Sequence, residues 1–154
     1  MNKARRLRIS KLFTLEMGHA LLGHDGQCRN IHGHSYKLFV TLRGIPLDEC
    51  GHPKDGMLMD FSDLKTIVQK NVISQFDHAV VLHMDAPHEV KSVLAEHFEK
   101  FVVLPFQPTC ENLLLHFVDL IINELPSHVE LYKVRLDETA TAYAEWCVDD
   151  IAYH

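Results

Sequence analysis

Two runs of alternating apolar and polar residues constrain this chain more than any other feature. In residues 8–19 the odd positions are mostly apolar and end at His19, whereas the even positions are mostly polar. In residues 32–44 the even positions begin with His32 and His34 and continue with apolar side chains. Because successive side chains of a strand point to opposite faces, both runs predict half-buried β-strands that carry histidines on their apolar faces.

The spacing of these histidines predicts a metal site. His32 and His34 project from the same side of one strand, and Gly33 between them leaves room for a ligand. Neighbouring antiparallel strands lie about 5 Å apart, so His19 at the end of the other strand can join them. Three nitrogen ligands without a fourth protein ligand are typical of catalytic zinc with an open position. Cys28 precedes His32 with three residues between them, and it then stays free to act as a nucleophile or a base.

Two alternatives to this site stay open on the residues alone. Thiolate binds zinc tightly, so Cys28 with two of the histidines is a rival ligand set that would consume the only nearby nucleophile. A histidine on the apolar face of a strand, such as His19, is also often a core residue satisfied by hydrogen bonds.

Two helices are predicted in the middle of the chain. Residues 62–75 carry apolar side chains at helical spacing, with Asp60 or Ser62 as the predicted cap. The second helix begins after its predicted cap Thr109 and ends at Pro126. Between them the sequence predicts a surface loop over residues 83–92 and a short strand over residues 102–106.

Two more strands are predicted near the end of the chain, over residues 130–138 and 141–148, because both segments alternate again. The resulting order, ββααββ, predicts an α+β fold in which a four-stranded antiparallel sheet packs both helices on one face. Two open sheet edges, and apolar residues such as Phe39 on the second face, predict association between subunits.

Length and composition restrict the class of protein. The 154 residues fit one domain over residues 1–154, and the 15 Lys and Arg against 21 Asp and Glu give a net charge of −6. Aromatic residues are not interleaved with basic runs, which argues against nucleic-acid binding. No segment has the length of a membrane span or the pattern of a signal peptide, so a cytoplasmic location is expected. The four cysteines lack a Cys-x-x-Cys pair and are interpreted as reduced thiols.

Three further groups of residues could carry chemistry. Asp77 beside His78 could fix an imidazole tautomer for proton transfer, or could simply end a helix that favours an imidazolium. Glu138 could bind an amidine-like group of a ligand, or could be a solvated strand end. Thr109 and Glu111 are sufficiently explained as the start of a helix.

Six short motifs follow one another in a fixed order along the chain. They are His19-Ala20-Leu21, Cys28-x-x-x-His32-Gly33-His34-Ser35-Tyr36, Met59-Asp60-Phe61, Phe76-Asp77-His78, Pro108-Thr109-x-Glu111-Asn112 and Glu138-Thr139. Together they resemble the 6-pyruvoyltetrahydropterin synthase superfamily, and the resemblance spans essentially the whole chain. It implies the tunnelling fold, in which trimers close a β-barrel and two trimers stack into a hexamer.

The resemblance also implies roles for individual residues and places family sites at subunit interfaces, so that different chains would share one site. The implied zinc ligands are His19, His32 and His34, the implied proton-transfer triad is Cys28, Asp77 and His78, and the implied pterin anchor is Glu138 with Thr109 and Glu111.

The spacing of three residues between Cys28 and His32 resembles the bacterial queuosine-pathway branch of the family, which makes 6-carboxytetrahydropterin. The biopterin-pathway branch usually has five. The resemblance therefore implies a zinc-dependent carbon–carbon lyase that acts on 7,8-dihydroneopterin triphosphate and releases acetaldehyde and triphosphate. Two alternatives are a synthase that forms 6-pyruvoyltetrahydropterin by triphosphate elimination and a non-catalytic zinc-binding oligomeric scaffold.

Overall fold

Two long strands, β1 (Leu7–His19) and β2 (His32–Gly44), form the centre of the structure. The computed structural model describes residues 5–150. The two strands pair antiparallel along all 13 residues, from Leu7 opposite Gly44 to His19 opposite His32. Both alternating runs of the sequence are therefore strands, and their ends carry the three histidines.

The sheet has six strands, whereas alternation predicted four. The four predicted strands lie side by side and antiparallel in the order β1, β2, β5 (Glu130–Asp137) and β6 (Tyr143–Cys147). The additional strands β3 (Ala79–His83) and β4 (Phe101–Leu104) extend the sheet in parallel beyond β1. β4 overlaps the short strand predicted over residues 102–106, whereas β3 was not predicted, because a short apolar run without alternation does not distinguish a buried strand from other buried segments.

Both predicted helices are present. A continuous helical segment comprises α1 (Phe61–Val68), a π-helical turn (Gln69–Ile73) and α2 (Ser74–Phe76), and α4 (Cys110–Ile122) follows later in the chain. The predicted caps are confirmed, since the Asp60 carboxylate accepts the Ser62 N–H at 2.8 Å and the Thr109 hydroxyl accepts the Asn112 N–H at 3.2 Å.

A third helix, α3 (His88–His97), occupies much of the predicted surface loop, so that part of the prediction is wrong. The helix buries none of its residues, and its apolar residues Val90, Val93 and Leu94 span little more than one turn, which is too short a stripe to predict a helix. Pro87 is its N-cap residue. Within residues 5–150, no helix is long and apolar enough to cross a membrane.

The core lies on one face of the sheet, where side chains of both predicted helices pack. Buried strand residues such as Leu15 and Leu38 belong to the same apolar cluster as Leu64 of α1 and Phe117 of α4. An α+β fold with its helices on the apolar face is thus confirmed, whereas the β-barrel and the oligomer stay predictions. The alternation also places His19, which is only 2% exposed, on this buried face.

Candidate metal centre

Three imidazoles converge at one end of the β1–β2 pair. His19 lies directly opposite His32 across the two strands, and His34 lies two residues further along the same face. One ligand nitrogen of each lies within 4.8 Å of the others. The ladder therefore brings together the three ligands that the sequence predicts.

Backbone carbonyls determine the tautomers of two of these rings. The Nδ1 of His19 lies 2.7 Å from the Pro108 carbonyl oxygen, and the Nδ1 of His32 lies 2.7 Å from that of Asn30. Because a carbonyl oxygen only accepts, each neutral ring carries its proton on Nδ1 and a bare lone pair on Nε2. The two Nε2 atoms lie 3.2 Å apart, so two lone pairs face each other.

The third imidazole, that of His34, also has a buried Nε2 atom that lacks a hydrogen-bond partner among residues 5–150. An unsatisfied buried polar atom costs about 1–3 kcal/mol, and such atoms are rare unless an ion or water satisfies them. Zn²⁺ binds imidazole nitrogens at about 2.0–2.1 Å, which separates two tetrahedral ligands by roughly 3.4 Å. The residues therefore fit a three-histidine zinc site.

The environment of His19 favours the neutral form that binds metal. Burial lowers the pKa of His19 below its ordinary value of 6.5, and the charges of His32 and His34 lower it further. The Pro108 carbonyl and Glu138 oppose this shift without reversing it. Neutral imidazole is the form that donates a lone pair to a cation.

A cavity of about 370 Å³ lies next to the histidines. Three segments line it, namely the loop after β1, the beginning of α4 and the turn between β5 and β6. Of the predicted site residues, it contains His19, Cys28, Thr109, Glu111 and Glu138.

Cys28 lines this cavity without joining the metal ligands. It lies in a short 3₁₀ helix (Gln27–Arg29), and its carbonyl accepts the Leu21 N–H at 2.8 Å. Among the described His, Cys, Asp and Glu residues, the group that could hold a metal contains the three histidines and no cysteine. The rival set of Cys28 with two histidines is therefore not formed, and the thiol faces the cavity as a free group.

Glu138 connects the histidines to a buried tyrosine that sequence reasoning missed. One carboxylate oxygen lies 3.9 Å from His34 Nε2, and the other accepts the Tyr36 hydroxyl at 3.4 Å. Burial raises the pKa of Tyr36, and Glu138 raises it further, so the phenol keeps its proton and donates. Tyr36 continues the parity of His32 and His34 on β2, and this parity was the available signal.

Cys110 is a second missed residue of the cavity. Its thiol donates to the Leu136 carbonyl at 3.4 Å. Burial, followed by the charge of Glu138, raises the pKa of Cys110 to about 11. This thiol is therefore protonated near neutral pH, and it contributes a neutral surface to the cavity.

Asp77 and His78 lie outside this cavity. They form a pair in which Asp77 Oδ2 lies 3.1 Å from His78 Nδ1, and they follow α2, beside Gly33 and Ser35 rather than Cys28. Both are fixed to β1, since Glu16 N–H donates to the Asp77 carboxylate at 2.9 Å and His78 N–H donates to the Glu16 carbonyl at 2.6 Å.

The backbone and electrostatics of this pair are unusual. His78 has a φ of +63°, a conformation that non-glycine residues seldom adopt and that often marks functional sites. Partial burial alone raises the pKa of Asp77, but the Glu16 amide and His78 outweigh it and lower the pKa below its ordinary value of 3.8. The His78 side chain is 74% exposed, so its ring remains accessible from outside this chain.

The fold and site define a class of protein, an α+β protein with a three-histidine cluster that could hold a metal beside a ligand-sized cavity. Residues 8–147 match the family described as 6-pyruvoyl tetrahydropterin synthase. The chain therefore belongs to the 6-pyruvoyl tetrahydropterin synthase family, and the resemblance noted in its motifs is confirmed.

Named relatives and solved structures agree with this assignment. The chain is 37% identical to the 6-carboxy-5,6,7,8-tetrahydropterin synthase of Haemophilus influenzae over 143 residues, covering 90% of this chain and 97% of that protein. It is 34% identical to the protein of the same name from Aquifex aeolicus, covering 90% and 96%. The structure of Caenorhabditis elegans 6-pyruvoyl tetrahydropterin synthase superimposes with a TM-score of 0.67 at 23% identity, covering 96% and 99%, and shows the shared fold.

Proposed function

We propose that this chain is a zinc-dependent carbon–carbon lyase that converts 7,8-dihydroneopterin triphosphate into 6-carboxy-5,6,7,8-tetrahydropterin, a queuosine precursor, and releases acetaldehyde and triphosphate. The observation that carries the proposal is the set of three unsatisfied imidazole nitrogens next to a cavity that also contains a free thiol and a carboxylate. The names of the relatives support this choice of product.

The residues of the site divide into three tasks, of which metal binding and anchoring of the pterin come first. Zinc at the three histidines would supply Lewis acidity toward the side-chain hydroxyls of the substrate. Glu138 accepts hydrogen bonds from the amidine-like N–H groups of the pterin, and the Tyr36 hydroxyl holds one of its oxygens in place. Thr109 and Glu111 line the same part of the cavity at the beginning of α4 and assist this anchor.

Cys28 and the Asp77–His78 pair carry the proton transfers. Asp77 accepts the Nδ1 proton of His78, which leaves Nε2 of that ring as the base. Because Cys28 and His78 lie apart in one chain, we place them in one site through association of two chains, within a hexamer built as a dimer of trimers. β3 pairs with β1 only along Met17–His19. The rest of that edge of β1 is therefore open to a strand of a neighbouring subunit.

The first test measures zinc content and the mass of the product with the purified protein. Cys28→Ala should keep its zinc and lose turnover by roughly 10²–10⁴-fold, the usual contribution of a general acid or base. Cys50→Ala, at an exposed cysteine outside the cavity, is the matched control and should behave as the wild type. Full turnover by Cys28→Ala would disprove this mechanism.

A second test asks whether two chains share a site. Cys28→Ala and His78→Ala are each expected to be inactive, and the two variants are unfolded together and refolded as mixed oligomers. If Cys28 and His78 come from different chains, random mixing restores roughly a quarter of the sites. If both come from one chain, every site contains one defect and no activity returns.

The product separates the remaining alternatives. A product that keeps the three-carbon side chain as a pyruvoyl group identifies a 6-pyruvoyltetrahydropterin synthase, for which the family description is the supporting observation. Absence of both turnover and pterin binding in zinc-loaded protein would favour the non-catalytic scaffold.

A further inference from the structure

A further histidine lines the cavity on the loop between β1 and β2. We propose that His24 is a catalytic residue that donates a hydrogen bond from Nε2 to an oxygen atom of the substrate's side chain, either a hydroxyl or a phosphate oxygen. This inference rests on the proposed function, since it names a contact to the same substrate. His24 and Cys28 occupy the same loop and face the same cavity.

The loop that carries His24 is closed and attached to the rest of the protein. The Leu21 N–H donates to the Cys28 carbonyl at 2.8 Å, which closes the loop on itself. The Leu22 N–H donates to Gln107 Oε1 at 2.9 Å, and Gln107 Nε2 donates to the Leu22 carbonyl. Three hydrogen bonds therefore hold this wall of the cavity in place.

A backbone amide determines the tautomer of His24. The Gly26 N–H donates to His24 Nδ1 at 2.8 Å, so the lone pair of Nδ1 is used and the proton of the neutral ring lies on Nε2. Among residues 5–150, the carboxylate within 4 Å of a nitrogen of this ring is that of Asp25, which lies 3.9 Å from Nδ1 and is fully exposed. In this form His24 has no free lone pair with which to deprotonate Cys28. It can instead donate a hydrogen bond, and this requires an acceptor on the ligand.

Glycine at position 26 makes room for this ring. A Cβ atom at Gly26 would lie 3.0 Å from Cε1 and 3.3 Å from Nδ1 of His24, closer than an ordinary contact. The backbone there has a φ of −120°, which any residue adopts. A larger residue at this position would therefore have to displace the imidazole, whereas the backbone itself would tolerate it.

The arrangement of the cavity indicates which part of the substrate His24 meets. Glu138 lies on the β5–β6 turn, and Thr109 and Glu111 lie on α4, so the proposed pterin anchor occupies two walls. The third wall is the loop with His24 and Cys28. Since the thiol must reach the side chain that is cleaved, its neighbour on the loop meets the same side chain, whose oxygens accept hydrogen bonds.

The test uses His24→Phe, which keeps a ring and removes the donor, and His24→Gln, which keeps an N–H donor. With 7,8-dihydroneopterin triphosphate, His24→Phe should lower kcat/KM roughly 10- to 100-fold, the range from a lost hydrogen bond to a hydroxyl to one to a charged phosphate oxygen. His24→Gln should recover part of this loss. Gly26→Ala, which displaces the ring without altering it, should fall between His24→Phe and wild type. Asp25→Asn, at the exposed neighbouring residue, is the control and should match wild type.

A second measurement separates this role from a structural one. Pterin without a side chain should bind zinc-free His24→Phe as tightly as zinc-free wild type in a fluorescence titration, since His24 does not touch the ring. Long-range ¹H–¹⁵N correlation spectra of the substrate-free protein should show the proton of His24 on Nε2.

The outcomes are distinct. Unchanged kcat/KM in His24→Phe, an equal loss of pterin affinity, or a proton on Nδ1 would each overturn the role of His24 while leaving the proposed reaction intact. A wild-type protein that does not convert the triphosphate would overturn both.

Discussion

Zinc should stabilise this protein, and replacement of one ligand should reveal how much. The histidine cluster contains two facing Nε2 lone pairs 3.2 Å apart and one buried Nε2 that has no hydrogen-bond partner in the described part of the chain. Without metal, the orphaned atom of His34 alone costs about 1–3 kcal/mol. His34→Leu removes this atom, so the zinc-free variant should be at least as stable as zinc-free wild type.

The zinc-bound form reverses this order. A ligand at a thousandfold excess over its Kd adds about 4.1 kcal/mol to the free energy of unfolding. For a domain of this size, each kcal/mol raises Tm by about 2–4 °C, which gives about 8–16 °C for wild type. His34→Leu should lose most of this increase, because a two-histidine site binds zinc far more weakly.

Differential scanning calorimetry in chelator and in excess zinc measures both effects. His83→Leu is the matched control, because its imidazole is 16% exposed against 18% for His34 and lies outside the cluster. This control should keep the full zinc-dependent rise in Tm. The reasoning is refuted if His34→Leu also keeps that rise, or if it destabilises the zinc-free protein by more than about 1 kcal/mol.

Three other predictions concern protonation and the loop. Because burial and the neighbouring histidines lower the pKa of His19 below 6.5, the unfolded state takes up its proton first as the pH falls. The free energy of unfolding of the zinc-free protein, measured by urea titration, should therefore fall below about pH 6.5, and it should fall less in His19→Gln. The same pH dependence in both proteins would contradict this. Burial raises the pKa of Cys110 from 9.0 to about 11, so at pH 8 its thiolate is about 100-fold scarcer than that of a thiol with the ordinary pKa. Iodoacetamide should therefore label the exposed Cys50 before Cys110, and peptide mass spectrometry measures the order. Gln107→Leu should speed hydrogen exchange of the Leu22 amide about 10-fold, and an unchanged rate would show that the side-chain bridge does not hold the loop.

The local part of the fold and of the site could be predicted from sequence. Alternation placed β1 and β2 within one residue of their observed bounds, and it put His32 and His34 on one face. β1 ends at His19 and β2 begins at His32, so antiparallel pairing of the two strands brings His19 next to His32 and His34. These inferences needed only the period of a strand.

The remainder depends on contacts that have no local pattern. The parallel strand β3 is a short apolar run without alternation, and the apolar residues of α3 span little more than one turn, so neither segment gives a clear periodic signal. The bond from Tyr36 to Glu138 joins residues 102 positions apart and is visible only after folding. The separation of Cys28 from His78 is likewise a property of the tertiary structure.

The direct pairing of His19 with His32 makes the candidate metal centre insensitive to the length of the connection between them. An insertion or deletion within residues 20–31 changes the wall of the cavity but leaves the two imidazoles opposite each other, because the ladder sets their separation. A slip of the ladder by one residue, in contrast, would turn His32 and His34 to the other face at once. On the proposed function, changes in the loop would alter substrate preference while the three imidazoles keep their positions, so exchange of this loop between relatives should transfer specificity.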